Sequence, residues 1–343
     1  MTLINLISDT VTKPSAEMLA VMCSAEVGDD VFGEDPTVNK LERKAASMFG
    51  MEAALFCPSG TMTNQIAIKC HTQPGDEIIC DELSHVYRAE AGGFAFHSGV
   101  SIQLVPGKLG KIEATQLPQT LKADFDWLPK SRLVVLENTC NMAGGGFYTY
   151  PEITPIKDFC RQHKLGLHLD GARIFNALEE TKENPQEIGN LFDSISVCLS
   201  KGLGAPVGSL LIGNQQFIRQ ARRYRKLFGG GMRQAGFLAA AGIFALENNI
   251  ERLKIDHQNA QQIAARLEKL DIVEHIRPVA TNIIIFDVKQ PWTANSFLQK
   301  LSDQHHLKAA AFGPQTVRFV THLDFDADML SQTLDILSNK NWK

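Results

Sequence analysis

The sequence lacks the features that mark disulfide-stapled, zinc-binding and membrane-spanning proteins. Its seven cysteines are scattered and form no C-x-x-C pair, so neither a zinc knuckle nor a disulfide framework is indicated. No apolar run approaches the roughly 18 residues of a membrane span. The first residues carry an acid where an export signal has a basic region. We therefore expect a protein of a reducing compartment, the cytoplasm.

The chain also lacks an excess of charge of either sign. A net charge of −4, with 44% hydrophobic and 21% charged residues, is ordinary for a globular protein and gives no reason to expect nucleic acid or a membrane surface as a partner. No repeat period stands out. The 343 residues suffice for one large domain and one smaller domain.

What the chain does show is an alternation of helices and strands. Residues 36–49 have proline near their start, apolar residues at helical spacing and Gly50 behind them, which predicts a helix. A turn is predicted over residues 58–64 and an apolar helix over residues 65–70. Strands are predicted at residues 53–57, 77–80, 101–105, 132–137, 166–170, 194–199 and 208–212. This alternation predicts an α/β fold around a mostly parallel sheet.

A change of pattern indicates a second domain near the C-terminus. Residues 236–270 read as one long helix or a pair, and strands follow at residues 282–288 and 317–321. We predict a large domain over residues 1–247, with an N-terminal arm over about residues 1–20, and a small domain over residues 248–343.

Lys201 is the first candidate for chemistry. An apolar, β-prone run delivers it into a segment with Gly202, Gly204 and Gly208. Burial disfavours a protonated amine, so a lysine at a buried strand end can supply the neutral nucleophile that an imine needs. Glycines let the backbone approach a bulky cofactor. On this segment alone, an ordinary loop lysine remains the alternative.

Asp170 ends another apolar strand, 31 positions before Lys201 (201 − 170). An acid at this end of a strand points into the crevice where open α/β sheets bind ligands. There a carboxylate can keep a pyridine nitrogen protonated, which makes the ring an electron sink. The alternative is a cap of the following helix. Because pyridoxal phosphate enzymes need both a lysine and an acid opposite the ring nitrogen, the pair indicates pyridoxal 5'-phosphate.

Two weaker signals accompany this pair. Ser59, Gly60 and Thr61 lie between a strand and an apolar helix, where backbone N–H groups and the helix dipole stabilise a phosphate; a plain turn is the alternative. His85 follows a predicted strand and could stack on a ring or move a proton near neutral pH, although a single histidine is more often structural. The other histidines suggest no set of three ligands, and we predict no catalytic metal.

Segments spread over almost the whole chain resemble the threonine aldolase and β-eliminating lyase family of the aspartate-aminotransferase fold type. They are residues 8–14 (SDTVTKP), 28–36 (GDDVFGEDP), 58–61 (PSGT), 85 with 90–93 (EAGG), 136–139 (LENT), 170–173 (DGAR), 199–204 (LSKGLG), 229–234 (GGGMRQ) and 318–323 (RFVTHL). The resemblance implies fold type I of pyridoxal phosphate enzymes, with a mostly parallel central sheet in the large domain and a smaller α+β C-terminal domain.

The resemblance also implies how the cofactor is bound. Lys201 carries pyridoxal 5'-phosphate as a Schiff base, His85 stacks on its ring, and Asp170 and Arg173 contact its pyridine side. The groups expected around its phosphate are Ser59, Gly60, Thr61, Ser200 and, from a neighbouring subunit, Arg233. A shared site of this kind implies a homo-oligomer, either a dimer or a tetramer.

For the substrate, the resemblance implies that Ser8, Arg173 and Arg318 bind the α-carboxylate. A planar, permanently charged guanidinium suits that task, and the alternative for Arg318 is a surface pair with Asp324 or Asp326. The implied reaction is retro-aldol cleavage of threonine, allo-threonine or another β-hydroxy-α-amino acid into glycine and an aldehyde.

Four positions depart from the family pattern. Ile7 stands where an arginine usually precedes residues 8–14, Phe32 replaces a tyrosine, and Cys140 replaces a histidine. Trp127 stands at about the place where relatives offer a histidine to the substrate's β-hydroxyl. We therefore expect a water held by His85 to serve as the base, and an apolar pocket at Trp127 that favours larger substituents, as in phenylserine.

Two other functions stay open at this stage. A β-eliminating lyase would release a leaving group from Cβ of the amino acid instead of an aldehyde. A catalytically silent member of the family, acting as a scaffold, is the alternative from a different class.

Overall fold

The structure is a computed structural model that describes residues 3–338, so the outermost residues of the two predicted domains, 1, 2 and 339–343, lie outside the described residues. The helices are α1 (Ala16–Cys23), α2 (Pro36–Met48), α3 (Gly60–His71), α4 (His85–Arg88), α5 (Tyr150–His163), α6 (Ile174–Thr181), α7 (Pro185–Gly189), α8 (Gln215–Leu227), α9 (Gly236–Asn248), α10 (Leu253–Leu267), α11 (Ala294–His305) and α12 (Ala327–Ser338). The strands are β1 (Ile4–Asn5), β2 (Ala53–Cys57), β3 (Asp76–Asp81), β4 (Ser101–Val105), β5 (Lys130–Glu137), β6 (Gly166–Gly171), β7 (Ser194–Cys198), β8 (Ser209–Gly213), β9 (Val273–Ile276), β10 (Ile283–Val288), β11 (Leu307–Lys308), β12 (Ala310–Ala311) and β13 (Thr316–Val320).

Seven strands form the central sheet, in the order β2-β8-β7-β6-β5-β3-β4. Neighbouring strands are parallel except that β8 runs antiparallel to both β2 and β7. Only residues 199–208 connect β7 to β8, and a parallel crossover needs a dozen or more residues. Because the connection is short, β8 runs antiparallel to β7. The predicted α/β fold with a mostly parallel sheet is confirmed, and each predicted strand of residues 53–212 corresponds to one of these seven.

Local chemistry explains where α2 begins and ends. Asp35 caps the helix, since its Oδ1 accepts hydrogen bonds from two backbone N–H groups of the first turn at 3.1 and 2.9 Å. Pro36 has no N–H that needs a partner there. The chain leaves the helix near Gly50, whose φ of +63° suits glycine. The helix predicted over residues 36–49 is confirmed.

Helix α3 begins five residues earlier than predicted (65 − 60), inside the segment expected to be a turn. Ser59 caps it by accepting a hydrogen bond from the backbone N–H of Met62 at 3.2 Å. Gly60 is required at its start, because a Cβ at that position would lie 2.5 Å from the Cys198 sulfur. Thr63 and Asn64 concealed the start of the helix in the sequence, because they are polar and yet buried against the sheet, where they bond to Ser196 and Asp170.

A second, antiparallel sheet forms the C-terminal part, in the order β12-β13-β10-β9. Helices α10, α11 and α12 share a core with one face of this sheet, and Phe286, Phe297 and Phe319 are fully buried in it. Strand β1 pairs in parallel with β11, so the N-terminal segment joins this core.

The smaller α+β part is confirmed, and residues 236–270 form a pair of helices, α9 and α10. The domain boundary at residue 248 stays a prediction. Across residues 3–338, no helix combines the length and the apolar character needed to cross a membrane.

Candidate active site

The carboxyl ends of β2, β3, β5, β6 and β7 meet at one edge of the central sheet, because these strands run in the same direction. Ligands of open α/β sheets bind at this edge. A cavity of about 130 Å³ opens there, lined by Gly60, Thr61, Asn64, His85, Asp170, Ala172, Cys198, Ser200 and Lys201. A larger cleft of about 380 Å³ lies between α2 and α8 and contains none of the predicted site residues.

The start of α3 forms one wall of this cavity. The N–H groups of Gly60 and Thr61 belong to the first turn, where a helix has no internal acceptors for them, and the positive end of the helix dipole lies beside them. The close approach of Gly60 to Cys198 leaves a cradle that a side chain would fill. Together with the amine of Lys201, this donor set fits a phosphorylated aldehyde such as pyridoxal phosphate.

Asp170 is almost fully buried and held by two donors. Its Oδ2 accepts from Asn64 Nδ2 at 2.9 Å, and its Oδ1 accepts from the N–H of Ala172 at 3.1 Å. The Asn64 oxygen then faces His168 Nε2 at 3.2 Å, which must donate. Burial lowers the pKa of His168 to about 3, so it is neutral and its Nδ1 accepts from the Ser194 hydroxyl at 2.8 Å. This polarised chain of bonds fixes the orientation of Asp170.

His85 is oriented by a buried carboxylate behind it. Its Nδ1 lies 2.9 Å from Glu90 Oε1, and Asn64 and Gln65 donate to the same carboxylate at 2.8 and 2.5 Å. Nδ1 therefore carries the proton, and Nε2 is the nitrogen left for the cavity. Burial lowers the pKa of His85, but the hydrogen bond to Glu90 and the charge of Asp170 outweigh it, so the pKa is raised.

Arg173 binds the N-terminal segment through two of its three guanidinium nitrogens. Its Nε and Nη2 donate to the two oxygens of Asp9 at 2.6 and 2.7 Å, and both side chains are buried. Burial opposes ionisation of Asp9, but the charge and hydrogen bonds of Arg173 lower the pKa of Asp9 to about 2. Nη1 is the Arg173 nitrogen not bonded to Asp9, and Arg173 lines a small space beside Lys201. Ser8 directly precedes Asp9.

Arg318 is a buried cation with an incomplete set of partners. Its Nη1 donates to Asn141 Oδ1 at 2.7 Å and its Nη2 to the carbonyl of Ile7 at 2.9 Å, while Nε has no acceptor. The guanidinium lies 4.2 Å from the centre of the Phe312 ring. Burial and the neighbouring charge of Arg173 lower the pKa of Arg318 to about 10. The site therefore favours an added anion.

The alternative pairing of Arg318 with a surface acid is not observed. Among residues 3–338 it forms no ion pair with an aspartate or glutamate. Asp324 instead accepts a hydrogen bond from the N–H of Lys13 at 3.0 Å, and Asp326 accepts one from the N–H of Met329 at 2.8 Å.

Three predicted cofactor contacts are not among the residues that line the cavity of the same chain: Ser59, Arg173 and Arg233. Ser59 is exposed, caps α3 with its hydroxyl and directly precedes Gly60 of the cavity wall, and its predicted contact with the phosphate stays a prediction. Arg233 has a side chain that is 53% exposed and pairs with Asp29 at 2.9 Å. Its predicted role in the site of a neighbouring copy stays a prediction.

Trp127 does not lie beside the cavity of its own chain, and its predicted role in the substrate pocket stays a prediction. Trp127 precedes β5, whereas the cavity lies beyond the other end of this eight-residue strand, about 25 Å away. The indole is 72% exposed and stacks on Phe125 at 4.6 Å between ring centres. Residues before a parallel strand lie at the edge opposite to the site, and this separates Trp127 from the cavity of its own chain.

Several residues that build the site were given no role by the sequence: Asp9, Asn64, Glu90, Glu137 and Asn141. Glu90 and Asn141 lie in or beside recognised segments but do not end an apolar run. Asp9 and Glu137 each end an apolar run, and an acid at that position is the signal that could have found them. Such a group is costly to bury and normally has a partner. Asn64 could not be identified from the sequence, because the sequence predicts a turn over residues 58–64 and an amide is common there.

His85, Glu90 and Asp170 also bring ligand-type atoms within 4.8 Å of one another. Asn64 donates to both carboxylates, so hydrogen bonds already account for this grouping. The predicted absence of a catalytic metal stays a prediction.

Comparison with known proteins places this site in context. The model of the β-eliminating lyase family matches residues 5–291. The low specificity L-threonine aldolase of Escherichia coli strain K12 is 41% identical over 96% of this chain and 97% of its own length. That of Saccharomyces cerevisiae is 40% identical over 82% of this chain and 73% of its own. The structure of Leishmania major threonine aldolase superposes with a TM-score of 0.84, at 21% identity, over 97% of this chain and 98% of its own.

Proposed function

The chain belongs to the β-eliminating lyase family, and from this membership we propose that it is an aldehyde-lyase that uses pyridoxal 5'-phosphate. Its substrates are threonine, allo-threonine or another β-hydroxy-α-amino acid, and its products are glycine and an aldehyde. One observation carries the proposal: a single cavity at the sheet edge brings together Lys201, Asp170 and His85 beside the start of α3.

The residues around the cavity match the parts of the cofactor. When bound, pyridoxal phosphate supplies an electron sink for negative charge at the substrate's Cα. Lys201 offers the amine that holds it, and Asp170, fixed by Asn64, offers the carboxylate for its ring nitrogen. The N–H groups of Gly60 and Thr61 offer a phosphate site.

Arg318 supports recognition of an α-amino acid. A substrate carboxylate would give Nε its missing acceptor and would pair with a buried cation that forms no ion pair among residues 3–338. Arg173 Nη1 and the Ser8 hydroxyl would complete the proposed carboxylate site, since Arg173 binds Asp9, the residue that follows Ser8.

His85 supports cleavage of the bond between Cα and Cβ. That bond breaks when the β-hydroxyl loses its proton, and His85 Nε2 can accept the proton directly or through one water. Glu90 stabilises the protonated ring, because it accepts the hydrogen bond from Nδ1. The same pairing of base and orienting carboxylate raises the basicity of histidines in other enzymes.

The structure of a single chain does not support the expected preference for phenylserine, because that expectation needs Trp127 beside the substrate, and Trp127 lies at the opposite edge of the central sheet. Threonine and phenylserine are therefore both substrates to be tested without a stated order.

The deciding experiment incubates the cofactor-loaded protein with threonine, allo-threonine and phenylserine and measures glycine and aldehyde. Glycine with equimolar aldehyde is the expected result. A 2-oxo acid with ammonia would instead indicate β-elimination, and no turnover would indicate a silent scaffold. Lys201→Ala should abolish both the product and the cofactor's absorbance band, while Lys254→Ala, on an exposed position of α10, should change neither.

The proposal includes active sites shared between copies of the chain in a dimer or tetramer. It is supported by the exposure of Arg233 and by its absence from the residues that line the cavity of its own chain. Mixing inactive Lys201→Ala and Arg233→Ala proteins should restore activity, because a hybrid contains one site with both native residues. Mixtures as inactive as their components would reject the shared site. Cytoplasmic location stays a prediction.

A further inference from the structure

Glu137 is a buried carboxylate that the proposed reaction does not use. It ends β5, beside Asp170 on the neighbouring strand, and is 4% exposed. Both of its oxygens are occupied by backbone donors. Oε2 accepts from the N–H of His85 at 2.9 Å, and Oε1 accepts from the N–H of Asn141 at 3.0 Å.

Each of these two hydrogen bonds holds a segment that contributes to one part of the proposed substrate site. His85 begins the four-residue helix α4 and presents its ring to the cavity. Asn141 accepts a hydrogen bond from Arg318 Nη1 at 2.7 Å through its side-chain oxygen. One carboxylate therefore joins the segment that carries the β-hydroxyl base to the segment that holds the carboxylate-binding arginine.

We propose that Glu137 is a positioning residue that fixes the spacing between His85 and Arg318, and so aligns the β-hydroxyl and the α-carboxylate of one substrate. The inference rests on the proposed function for the roles of these two side chains. Glu137 itself touches neither the substrate nor the cofactor; it acts through the backbone of His85 and through Asn141.

A carboxylate is needed for this double contact. Burial and the charge of Asp170 raise the pKa of Glu137 to about 7, so the ionised form is costly here. A glutamine would occupy nearly the same volume without that cost. It has only one acceptor oxygen, however, and its amide nitrogen would face one of the two backbone N–H groups.

The first test is Glu137→Gln in the cofactor-loaded protein. We expect the dissociation constant of glycine, measured by titration of the cofactor's absorbance band, to rise about tenfold, the effect of roughly 1.4 kcal/mol. Glycine has no β-hydroxyl, so this constant reports the carboxylate-binding side of the site and not the contact between His85 and a β-hydroxyl. For threonine, KM should rise and kcat should also fall, because His85 is displaced as well.

Coupling between residues tests the connection itself. Asn141→Ala should weaken glycine binding by a similar factor, and the double variant should be little worse than either single variant, since both changes break one connection. Glu77→Gln is the matched control. Glu77 is also buried at a strand of this sheet, but at the opposite edge, beside Lys122, so glycine binding should not change.

Unchanged glycine binding in Glu137→Gln, or strictly additive effects with Asn141→Ala, would overturn the proposal. If the glutamine variant does not fold, Glu137→Asp keeps the charge but reaches one methylene less far, and it must weaken glycine binding in the same direction. The proposed function fails separately, because glycine binding can be measured whether or not threonine is cleaved.

Discussion

At the scale of single residues, the site depends on side chains that hold other side chains. Asn64 donates to Asp170 and Glu90 with one amide nitrogen, and this is possible because neutral His168 donates to its oxygen. Lys201, Asp170 and His85 could be proposed from sequence because a charged residue after an apolar run is conspicuous. Asn64 could not, since an amide in a polar turn has many ordinary explanations.

The pairing of Glu90 with His85 leads to a prediction about pH. Glu90→Gln removes the charge that raises the pKa of His85 and leaves only a neutral hydrogen bond to Nδ1, so the pKa of His85 falls. Since the neutral ring is the active form, the acidic limb of the kcat/KM profile should move to lower pH, while the maximal rate drops because the base is weaker. Steady-state assays of threonine cleavage from pH 5 to 9 check this.

Glu113→Gln, at an exposed 3-10 turn, is the control and should leave the profile in place. An acidic limb that stays where it is in Glu90→Gln, with only a lower rate, would show that another group titrates.

At the scale of elements, the sequence predicted what hydrophobic patterning controls. The strands of the central sheet are continuous apolar runs because both of their faces are buried, and their bounds were close to those observed. The direction of β8 was not predicted, because direction depends on the length of a connection and not on the pattern of the strand. The start of α2 was predicted correctly because proline marks it, whereas the start of α3 was not.

Asp35 leads to a prediction about helix starts. Its carboxylate is fully buried and accepts four backbone hydrogen bonds, two from the first turn of α2, one from Gly28 and one from the start of α9 at Gly236. Asp35→Ala should therefore lower the free energy of unfolding by at least about 2 kcal/mol. Ser15→Ala removes the part-buried cap of α1, in which the Ser15 hydroxyl accepts a hydrogen bond from the N–H of Met18, and should cost about 1 kcal/mol or less.

Denaturant unfolding of the loaded protein measures both variants. Equal losses for Asp35→Ala and Ser15→Ala would mean that the contacts of Asp35 to Gly28 and Gly236 contribute nothing.

At the scale of the whole molecule, the N-terminal segment connects the two cores. Strand β1 pairs with β11 of the C-terminal part, and Asp9 then contacts Arg173, just beyond the carboxyl end of β6, and Asn282, just before β10. Such contacts join residues that are far apart in the sequence, so periodicity and spacing cannot reveal them. Periodicity and spacing could not place Trp127 for the same reason, because its position depends on the edge of the central sheet at which its loop lies.

Asp9 leads to the prediction at this scale. Its pKa in the folded chain, about 2, lies below its ordinary value of 3.8, so the carboxylate stabilises the fold above pH 4, and this contribution is lost as the pH falls through 2. Asp9→Asn should lower the free energy of unfolding near neutral pH by at least about 2 kcal/mol, because Arg173 is left buried without its counter-charge. Glu247→Gln, which breaks the exposed pair with Lys44, should cost under about 1 kcal/mol. Denaturant unfolding at pH 8, 5 and 3 should show a constant deficit for Asp9→Asn at the two higher values and a smaller one at pH 3. A deficit that does not shrink at pH 3 would mean that the ion pair is not its origin.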